Sequence, residues 1–165
     1  HATNTDAFGF IENLRAGAPS WRPDSGRALV LGAGGAARAI AAALCEAGVG
    51  HLTIANRNVD KARDLADLLV KELGFTAVSA QPLTQTDGAD VDMIINSTSL
   101  GLHADDALPL ALDHVSKHTV IADIIMVPAD TKWLQDAVSR GLPIHYGRHM
   151  LDYQIDLIGR FIAAF

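Results

Sequence analysis

A chain of 165 residues can bury a sizeable core in one domain, and its apolar fraction of 49% with modest charge fits a globular protein of mixed helices and strands. The net charge of −6, without a long Lys or Arg block, argues against nucleic acid or an anionic membrane as a partner. No apolar run predicts a membrane-spanning helix, and we expect no secretory signal before the first predicted element. The single Cys45 excludes an intrachain disulfide and suits a reducing cytoplasm, where we expect the protein to act. Because the chain starts at His1 rather than Met, we expect a fragment or a processed product.

The predicted elements alternate between helices and strands along the chain. Residues 4–15 predict a helix with a shared apolar face, and the Pro- and Ser-containing stretch 17–26 predicts a linker. Strands are predicted at 28–31, 51–55, 75–80, 92–95, 119–125 and 143–146. Helices are predicted from the Gly-rich turn to about 48, at 59–73, around 110–115, at 131–140 and at 150–165, with one helical turn within 81–89. Such alternation implies right-handed βαβ units and a largely parallel sheet.

The most informative stretch is the sequence GAGGAA at residues 32–37, between the first predicted strand and its helix. Gly32 permits a tight turn off the strand, Gly34 leaves room for a pyrophosphate beside the backbone, and Ala37 lets the helix pack closely. The helix N-terminus offers unpaired N–H groups and a positive dipole end to phosphates. A tight turn without a ligand is the alternative, but the position between strand and helix favours a dinucleotide site. The predicted coenzyme contacts here are Gly32, Ala33, Gly34, Gly35 and Ala36.

We therefore predict an α/β protein with a three-layer, doubly wound, Rossmann-like fold and a mostly parallel sheet of about six strands. Residues 1–25 are expected to form a hinge helix and linker, and residues 26–146 the dinucleotide-binding domain. Residues 147–165 are expected to form a C-terminal helix.

The end of the second predicted strand indicates which dinucleotide is bound. An NAD site of this type usually has Asp or Glu there, which bonds the ribose 2′-hydroxyl, whereas this chain has Asn56 followed by Arg57. Asn accepts a 2′-phosphate that a carboxylate would repel, and Arg57 can pair with it or stack on adenine. NADP is therefore favoured, with NAD as the alternative. Lys61 and Arg63 lie on the next helix, and for Arg63 we favour a solvated helix face.

Small polar residues follow the fourth predicted strand, where open α/β sheets bind ligands. Asn96, Ser97 and Thr98 are therefore predicted to line the nicotinamide pocket, although Thr98 could instead cap a helical turn. The seven histidines show no recognised ligand spacing, so no metal site is expected.

These motifs, in this order along nearly the whole chain, resemble the shikimate dehydrogenase family, which includes shikimate and quinate dehydrogenases. The resemblance is carried by GAGGAxRA at 32–39, NR at 56–57, NSTSxG at 96–101, DxxxxPxxT at 123–131, NTDxxG at 4–9 and GxxMLxxQ at 147–154.

The resemblance implies reversible, NADPH-dependent reduction of 3-dehydroshikimate to shikimate in the pathway to aromatic amino acids. It implies an active site between an N-terminal substrate domain, expected to be absent from this chain, and the dinucleotide domain. The acid/base pair would be a Lys of the absent domain and Asp6, which otherwise reads as a charge at a helix N-terminus. Gln154, otherwise a polar spot on the last helix, would contact substrate beside Asp6. Further coenzyme positions implied are Asn58, Lys61, Ile124 and Gly147.

One departure from the family pattern leaves the substrate open. The family often has a substrate-contacting Tyr where this chain has Met126, before Val127 and Pro128. Quinate or another shikimate-like hydroxy acid is therefore an alternative substrate. A non-catalytic dinucleotide-binding module is the alternative of another class, and replacement of Asp6 would distinguish it from an enzyme.

Overall fold

A computed structural model of the chain describes residues 10–14 and 26–147. In this part of the chain the strands are β1 Arg27–Leu31, β2 His51–Asn56, β3 Val78–Pro82, β4 Met93–Asn96, β5 Val120–Asp123 and β6 Ile144–Tyr146. Residues 10–14 are helical, and the helices with both ends in the described ranges are α1 Gly35–Glu46, α2 Val59–Leu73 and α3 Lys132–Ser139, with a 3₁₀ turn at Leu83–Gln85. All neighbouring strands are parallel, in the order β3-β2-β1-β4-β5-β6. This order confirms the predicted doubly wound α/β fold, and its switch point lies between β1 and β4.

The central strand β1 is buried on both faces. Ala28 and Val30 belong to a core with α1, α2 and residues 10–14, whereas Leu29 and Leu31 belong to a second core with α3. A parallel strand covered on both sides reads as a continuous apolar run instead of an alternating one. The run Ala28–Leu31 is therefore explained by its central place in the sheet.

The helices on the two faces end where local chemistry predicts. Helix α2 matches its predicted range. Asn58 caps its N-terminus by accepting the Asp60 N–H, and Gly74 caps its C-terminus in the left-handed conformation. Helix α3 begins after Thr131, whose hydroxyl oxygen accepts the Leu134 N–H.

The predicted helix around residues 110–115 is wrong. In the structure this segment consists of a bend, a turn and irregular backbone, with Leu110 and Leu112 buried in the second core on either side of the exposed Ala111. The Leu110 carbonyl accepts a 2.8 Å hydrogen bond from the Trp133 indole N–H. A tertiary partner therefore takes the acceptor that a helix would have used, and it also explains why Trp133 is a buried packing residue.

Two strands differ in extent from their predictions. β5 ends at Asp123 and not at Ile125, because the Ile125 N–H donates to the Asp123 carboxylate instead of a neighbouring strand. β3 begins at Val78 and not at Phe75, because the Phe75 N–H still bonds the Leu69 carbonyl at the end of α2. In both places a local hydrogen bond competes with the sheet.

The helix predicted at 4–15 is helical over its described part, residues 10–14. The rest of that helix, most of the linker at 17–26 and the helix at 150–165 fall outside the described residues. Within the described ranges, none of the helices combines the length and apolar character that crossing a membrane requires.

Candidate dinucleotide site

The carboxyl ends of β1, β2 and β4 border one cleft of about 230 Å³. Strands on either side of the switch point thus contribute to it, as in sheets of this class that bind ligands. The cleft brings together seven of the predicted coenzyme contacts, from three separate loops: Gly32, Ala33, Gly34, Asn56, Arg57, Ser97 and Thr98.

The Gly-rich loop contains two glycines with different structural roles. Gly32 has a φ of +111°, and a Cβ there would lie 2.8 Å from the Ser97 hydroxyl oxygen, so the fold itself requires glycine. Gly34 has an ordinary φ of −88°, and a Cβ there would meet nothing within 4 Å. The space beside Gly34 is therefore left open by the protein, and a pyrophosphate needs such a gap to approach the backbone.

The N-terminus of α1 is the second element of the phosphate site. Among the helices bounded in the described ranges, α2 and α3 are capped by the side chains of Asn58 and Thr131, whereas no side chain caps α1. The first-turn N–H groups of α1, which begins directly after the cleft-lining Gly34, therefore have no side-chain cap and lie at the positive end of the helix dipole. Donors of this kind, with open space at Gly34, fit an anionic group such as a pyrophosphate.

The polar end of β2 supplies the positive charge of the cleft. Arg57 is exposed. Among the cleft-lining residues that the structure describes, it is the only one with a charged side chain. Asn56 donates through its Nδ2 to the Asn58 carbonyl at 2.9 Å, which fixes this corner beside the start of α2. Arg57 is therefore placed to meet an anion at the end of β2.

The two other cations predicted near this corner lie on the exposed face of α2. Arg63 pairs with Asp60 at 2.8 Å, and both side chains are more than half exposed, which agrees with the solvated helix face that we favoured. Lys61 is also exposed and does not line the cleft as the structure describes it.

A buried polar network connects the ends of β4 and β5. Asp123 is 1% exposed, and its carboxylate accepts from Asn96 Nδ2, the Ile125 N–H and the Thr131 hydroxyl at 3.1, 3.1 and 2.8 Å. Burial raises the pKa of Asp123, and these three donors oppose that effect. Asn96, which was predicted to line the nicotinamide pocket, is fully buried and does not line the cleft; it accepts from the N–H and the hydroxyl of Thr98 at 3.0 and 2.7 Å. The rim residue Thr98 is thus held from inside the protein.

Gly147 and Ile124 meet on the far side of this network. A Cβ on Gly147 would lie 2.5 Å from Ile124 Cα and 2.6 Å from the Asp123 carbonyl oxygen. Glycine is therefore required for the chain after β6 to pass the chain after β5. The structure thus places these two predicted coenzyme residues together, beyond the cleft described above.

Four cleft-lining residues were not predicted as contacts: Ala55, Leu83, Ser99 and Leu100. Ser99 and Leu100 continue the polar loop after β4, so their place in that motif was an available signal. Leu83 begins the turn after β3 and carries no local signal, because only the sheet order brings β3 beside β2. The predicted residues Asp6 and Gln154 lie outside the described residues.

Two other chemistries find no support in the described part of the chain. Residues 10–14 and 26–147 contain no group of three or more His, Cys, Asp or Glu side chains arranged to hold a metal. Burial raises the pKa of the Cys45 thiol to about 11, so this thiol stays protonated near neutral pH and is a poor nucleophile.

Comparison with known proteins agrees with this geometry. The family described as shikimate / quinate 5-dehydrogenase matches residues 20–132. Shikimate dehydrogenase (NADP(+)) of Dinoroseobacter shibae is 42% identical over 156 residues, which cover 93% of this chain and 54% of that protein. The corresponding protein of Nitrobacter winogradskyi is 43% identical over 154 residues, which cover 93% of this chain and 53% of its own length. The chain therefore spans about half the length of the curated relatives it matches.

Solved structures show the same fold. Shikimate 5-dehydrogenase of Thermus thermophilus, in complex with NADP(H) and shikimate, superposes with a TM-score of 0.80 at 36% identity, covering 98% of this chain and 57% of that one. Quinate dehydrogenase of Corynebacterium glutamicum, in complex with NAD, superposes with a TM-score of 0.83 at 29% identity, and the match covers 92% of this chain and 54% of that one. With the family match extending over more than half of its residues, this chain belongs to the shikimate / quinate 5-dehydrogenase family.

Proposed function

We propose that this chain is the coenzyme-binding half of an NADP-dependent oxidoreductase that interconverts 3-dehydroshikimate and shikimate. The observation that carries the proposal is the single cleft that joins the Gly-rich loop, Arg57 and Thr98 at the switch point of the sheet. The relatives named shikimate dehydrogenase (NADP(+)) support the substrate and the coenzyme. The reaction belongs to the whole protein, in which an N-terminal substrate domain would be the intramolecular partner.

The cleft fits NADP in three parts. The pyrophosphate would lie at the uncapped N-terminus of α1, in the open space beside Gly34. The adenosine 2′-phosphate would meet Arg57 and Asn56, with Asn58 fixing that corner and Lys61 adding positive charge at longer range. The nicotinamide half would lie on the other side of the switch point, toward the loops after β4, β5 and β6. There Ser97 and Thr98 would line its pocket, with Ile124 and Gly147 behind them.

The residues of the protein would position the substrate and move one proton. The bound coenzyme supplies the hydride, and reduction of the ketone also needs a proton for the new hydroxyl oxygen. We assign that proton transfer to Asp6 acting with a Lys of the substrate domain, because a carboxylate can hold a Lys in place and hydrogen-bond a substrate hydroxyl. Gln154 is proposed to contact the same substrate.

The test is the oxidation of shikimate by the full-length protein, followed through the absorbance of NADPH. We expect turnover with NADP⁺, and a loss of at least about 100-fold in kcat for Asp6→Ala, since a general acid/base contributes factors of this size. Binding of NADPH by Asp6→Ala should be unchanged, which serves as the folding control. A full-length protein that binds NADPH but oxidises neither shikimate nor quinate would favour the non-catalytic dinucleotide-binding module instead.

Quinate is the second candidate substrate, and Met126 favours it. Met126 is partly buried against the first core, so this position offers a thioether and no hydroxyl to a polyol. Structural similarity to a quinate dehydrogenase agrees with this alternative. The ratio of kcat/KM for shikimate and quinate decides between them, and Met126→Tyr should shift that ratio toward shikimate if this position faces the substrate.

A further inference from the structure

We infer that Asp123 is a positioning residue for the nicotinamide half of the coenzyme, and that it acts through Asn96 on Thr98. The inference rests on the proposed binding of NADP(H), because it concerns how one wall of that site is held. It assigns a role in binding to a carboxylate that is 1% exposed and does not line the cleft.

The first step is that Asp123 Oδ1 can only accept. It accepts hydrogen bonds from Nδ2 of Asn96 and from the backbone N–H of Ile125, both at 3.1 Å. An oxygen that faces two N–H donors has no room for its own proton. The Thr131 hydroxyl occupies the other oxygen, Oδ2, at 2.8 Å. The acceptor role of Oδ1 therefore depends on geometry, whatever the charge of the carboxyl group.

The second step is that this acceptor fixes the Asn96 amide. Nδ2 donates to Asp123 and to the Leu100 carbonyl oxygen at 2.9 Å, while Oδ1 accepts both Thr98 groups. A rotated amide would set its oxygen against two acceptors and its NH₂ group against the Thr98 N–H. Because Asn96 is fully buried, water cannot compensate for such mismatches. Asp123 thus acts with the Leu100 carbonyl oxygen and the Thr98 N–H to select the orientation in which Asn96 holds Thr98.

The third step links this network to one end of the ligand. Thr98 lines the cleft, and its hydroxyl oxygen also accepts the Leu100 N–H at 3.1 Å, so the whole turn after β4 depends on Asn96. This turn lies on the β4 side of the switch point, whereas Arg57 follows β2 on the other side. Loss of Asp123 should therefore loosen the wall around the nicotinamide half and leave the adenosine half unchanged.

The experiment compares two ligands in the full-length protein. NADPH spans both halves of the site, whereas adenosine 2′,5′-bisphosphate occupies only the half at Arg57. We expect Asp123→Ala to weaken the binding of NADPH by about ten-fold or more, equivalent to about 1.4 kcal/mol. Binding of adenosine 2′,5′-bisphosphate should change by less than about two-fold, because Arg57 and α1 are untouched. Equal weakening of both ligands, or of neither, would overturn the inference.

Two further variants separate positioning from simple loss of stability. Thr119→Val removes a buried hydroxyl group that donates a 2.7 Å hydrogen bond to the Val91 carbonyl oxygen. This bond lies just before β4 and β5 begin, at the edge of the sheet opposite the cleft. This variant should lower the melting temperature without affecting either ligand. Asp123→Asn keeps an acceptor for Asn96 and Ile125 while the Thr131 hydroxyl turns to accept, so it should bind NADPH within about three-fold of wild type. If Asp123→Asn lost as much NADPH affinity as Asp123→Ala, the proposed role of Asp123 as a hydrogen-bond acceptor would be contradicted.

Hydrogen exchange in the unmodified protein provides a test that needs no variant to fold. The Thr98 amide should exchange slowly because it donates to Asn96 inside the protein, whereas that of the exposed neighbour Ser99 should exchange quickly. Equally rapid exchange at both positions would overturn the inference. Wild-type protein that binds neither NADPH nor adenosine 2′,5′-bisphosphate would instead refute the proposed function on which it rests.

Discussion

Replacement of Gly34 by alanine should separate coenzyme binding from folding. The new Cβ would meet nothing within 4 Å, and φ is −88°, which alanine adopts readily. Alanine is a slightly poorer N-cap than glycine but restricts the unfolded chain more, so the free energy of unfolding should change by less than about 1 kcal/mol. The methyl group would nevertheless occupy the space in which we place the pyrophosphate. We expect NADPH affinity to fall by about ten-fold or more, a loss of about 1.4 kcal/mol.

Gly32→Ala is the matched comparison two residues earlier. Its φ of +111° strains an L-residue, and its Cβ would lie 2.8 Å from Ser97 Oγ, which donates to the Leu31 carbonyl oxygen. Strain of this kind costs about 1–3 kcal/mol. For a chain of this size, a cost of about 2 kcal/mol corresponds to a melting temperature lower by about 4–8 °C.

The assay is thermal unfolding of both variants, followed by titration of each folded protein with NADPH. The expected pattern is a stable Gly34→Ala protein that binds poorly and a less stable Gly32→Ala protein. Wild-type affinity in Gly34→Ala would refute the placement of the pyrophosphate. A melting temperature lowered as far as in Gly32→Ala would refute the claim that the fold leaves position 34 open.

Three further substitutions test how the edge of the sheet is held. Gly147→Ala should lower the free energy of unfolding by about 1–3 kcal/mol, because its Cβ would overlap the Ile124 backbone, and unchanged chemical denaturation would contradict this. Trp133→Phe should cost about 1–3 kcal/mol by leaving the Leu110 carbonyl oxygen without its indole donor; no change in the denaturation midpoint would count against that role. Burial raises the pKa of Asp123 above its usual 3.8, so its stabilising contribution is full below pH 3.8 and is lost as the pH rises through the raised pKa. The difference in unfolding free energy between wild type and Asp123→Asn should therefore fall between pH 3.8 and the raised pKa and then stay constant. A difference that rises with pH would contradict a raised pKa for Asp123.

The sequence predicted most of the fold because its signals were local. The run Ala28–Leu31, the Gly-rich turn and the capping residues Asn58 and Gly74 each specify structure within a few residues, and the structure agrees with each. The segment 110–115 failed because its conformation depends on Trp133, more than 20 residues away in the chain. Periodicity carries no information about a hydrogen bond of that kind.

For the candidate site too, local sequence motifs predicted residues correctly, whereas contacts between distant segments could not be predicted. Residues in a motif, such as Gly34 and Thr98, were found from their place at a strand end. Leu83 was missed because it reaches the cleft only through the pairing of β2 with β3. The buried link from Asp123 to Thr98 could not be predicted, since it depends on which atoms of two distant strands meet.

The account depends most on an NADP(H) site in which Arg57 meets the 2′-phosphate. Calorimetric titration of the full-length protein with NADPH and with NADH tests this most directly, using Arg57→Ala and the control Arg63→Ala, whose side chain pairs with Asp60. We predict tighter binding of NADPH than of NADH by wild type and Arg63→Ala. Arg57→Ala should lose at least about ten-fold in NADPH affinity, as expected for a charge-assisted hydrogen bond, with NADH little changed. Folded protein that binds neither coenzyme, or equal losses for both in Arg57→Ala, would contradict the account.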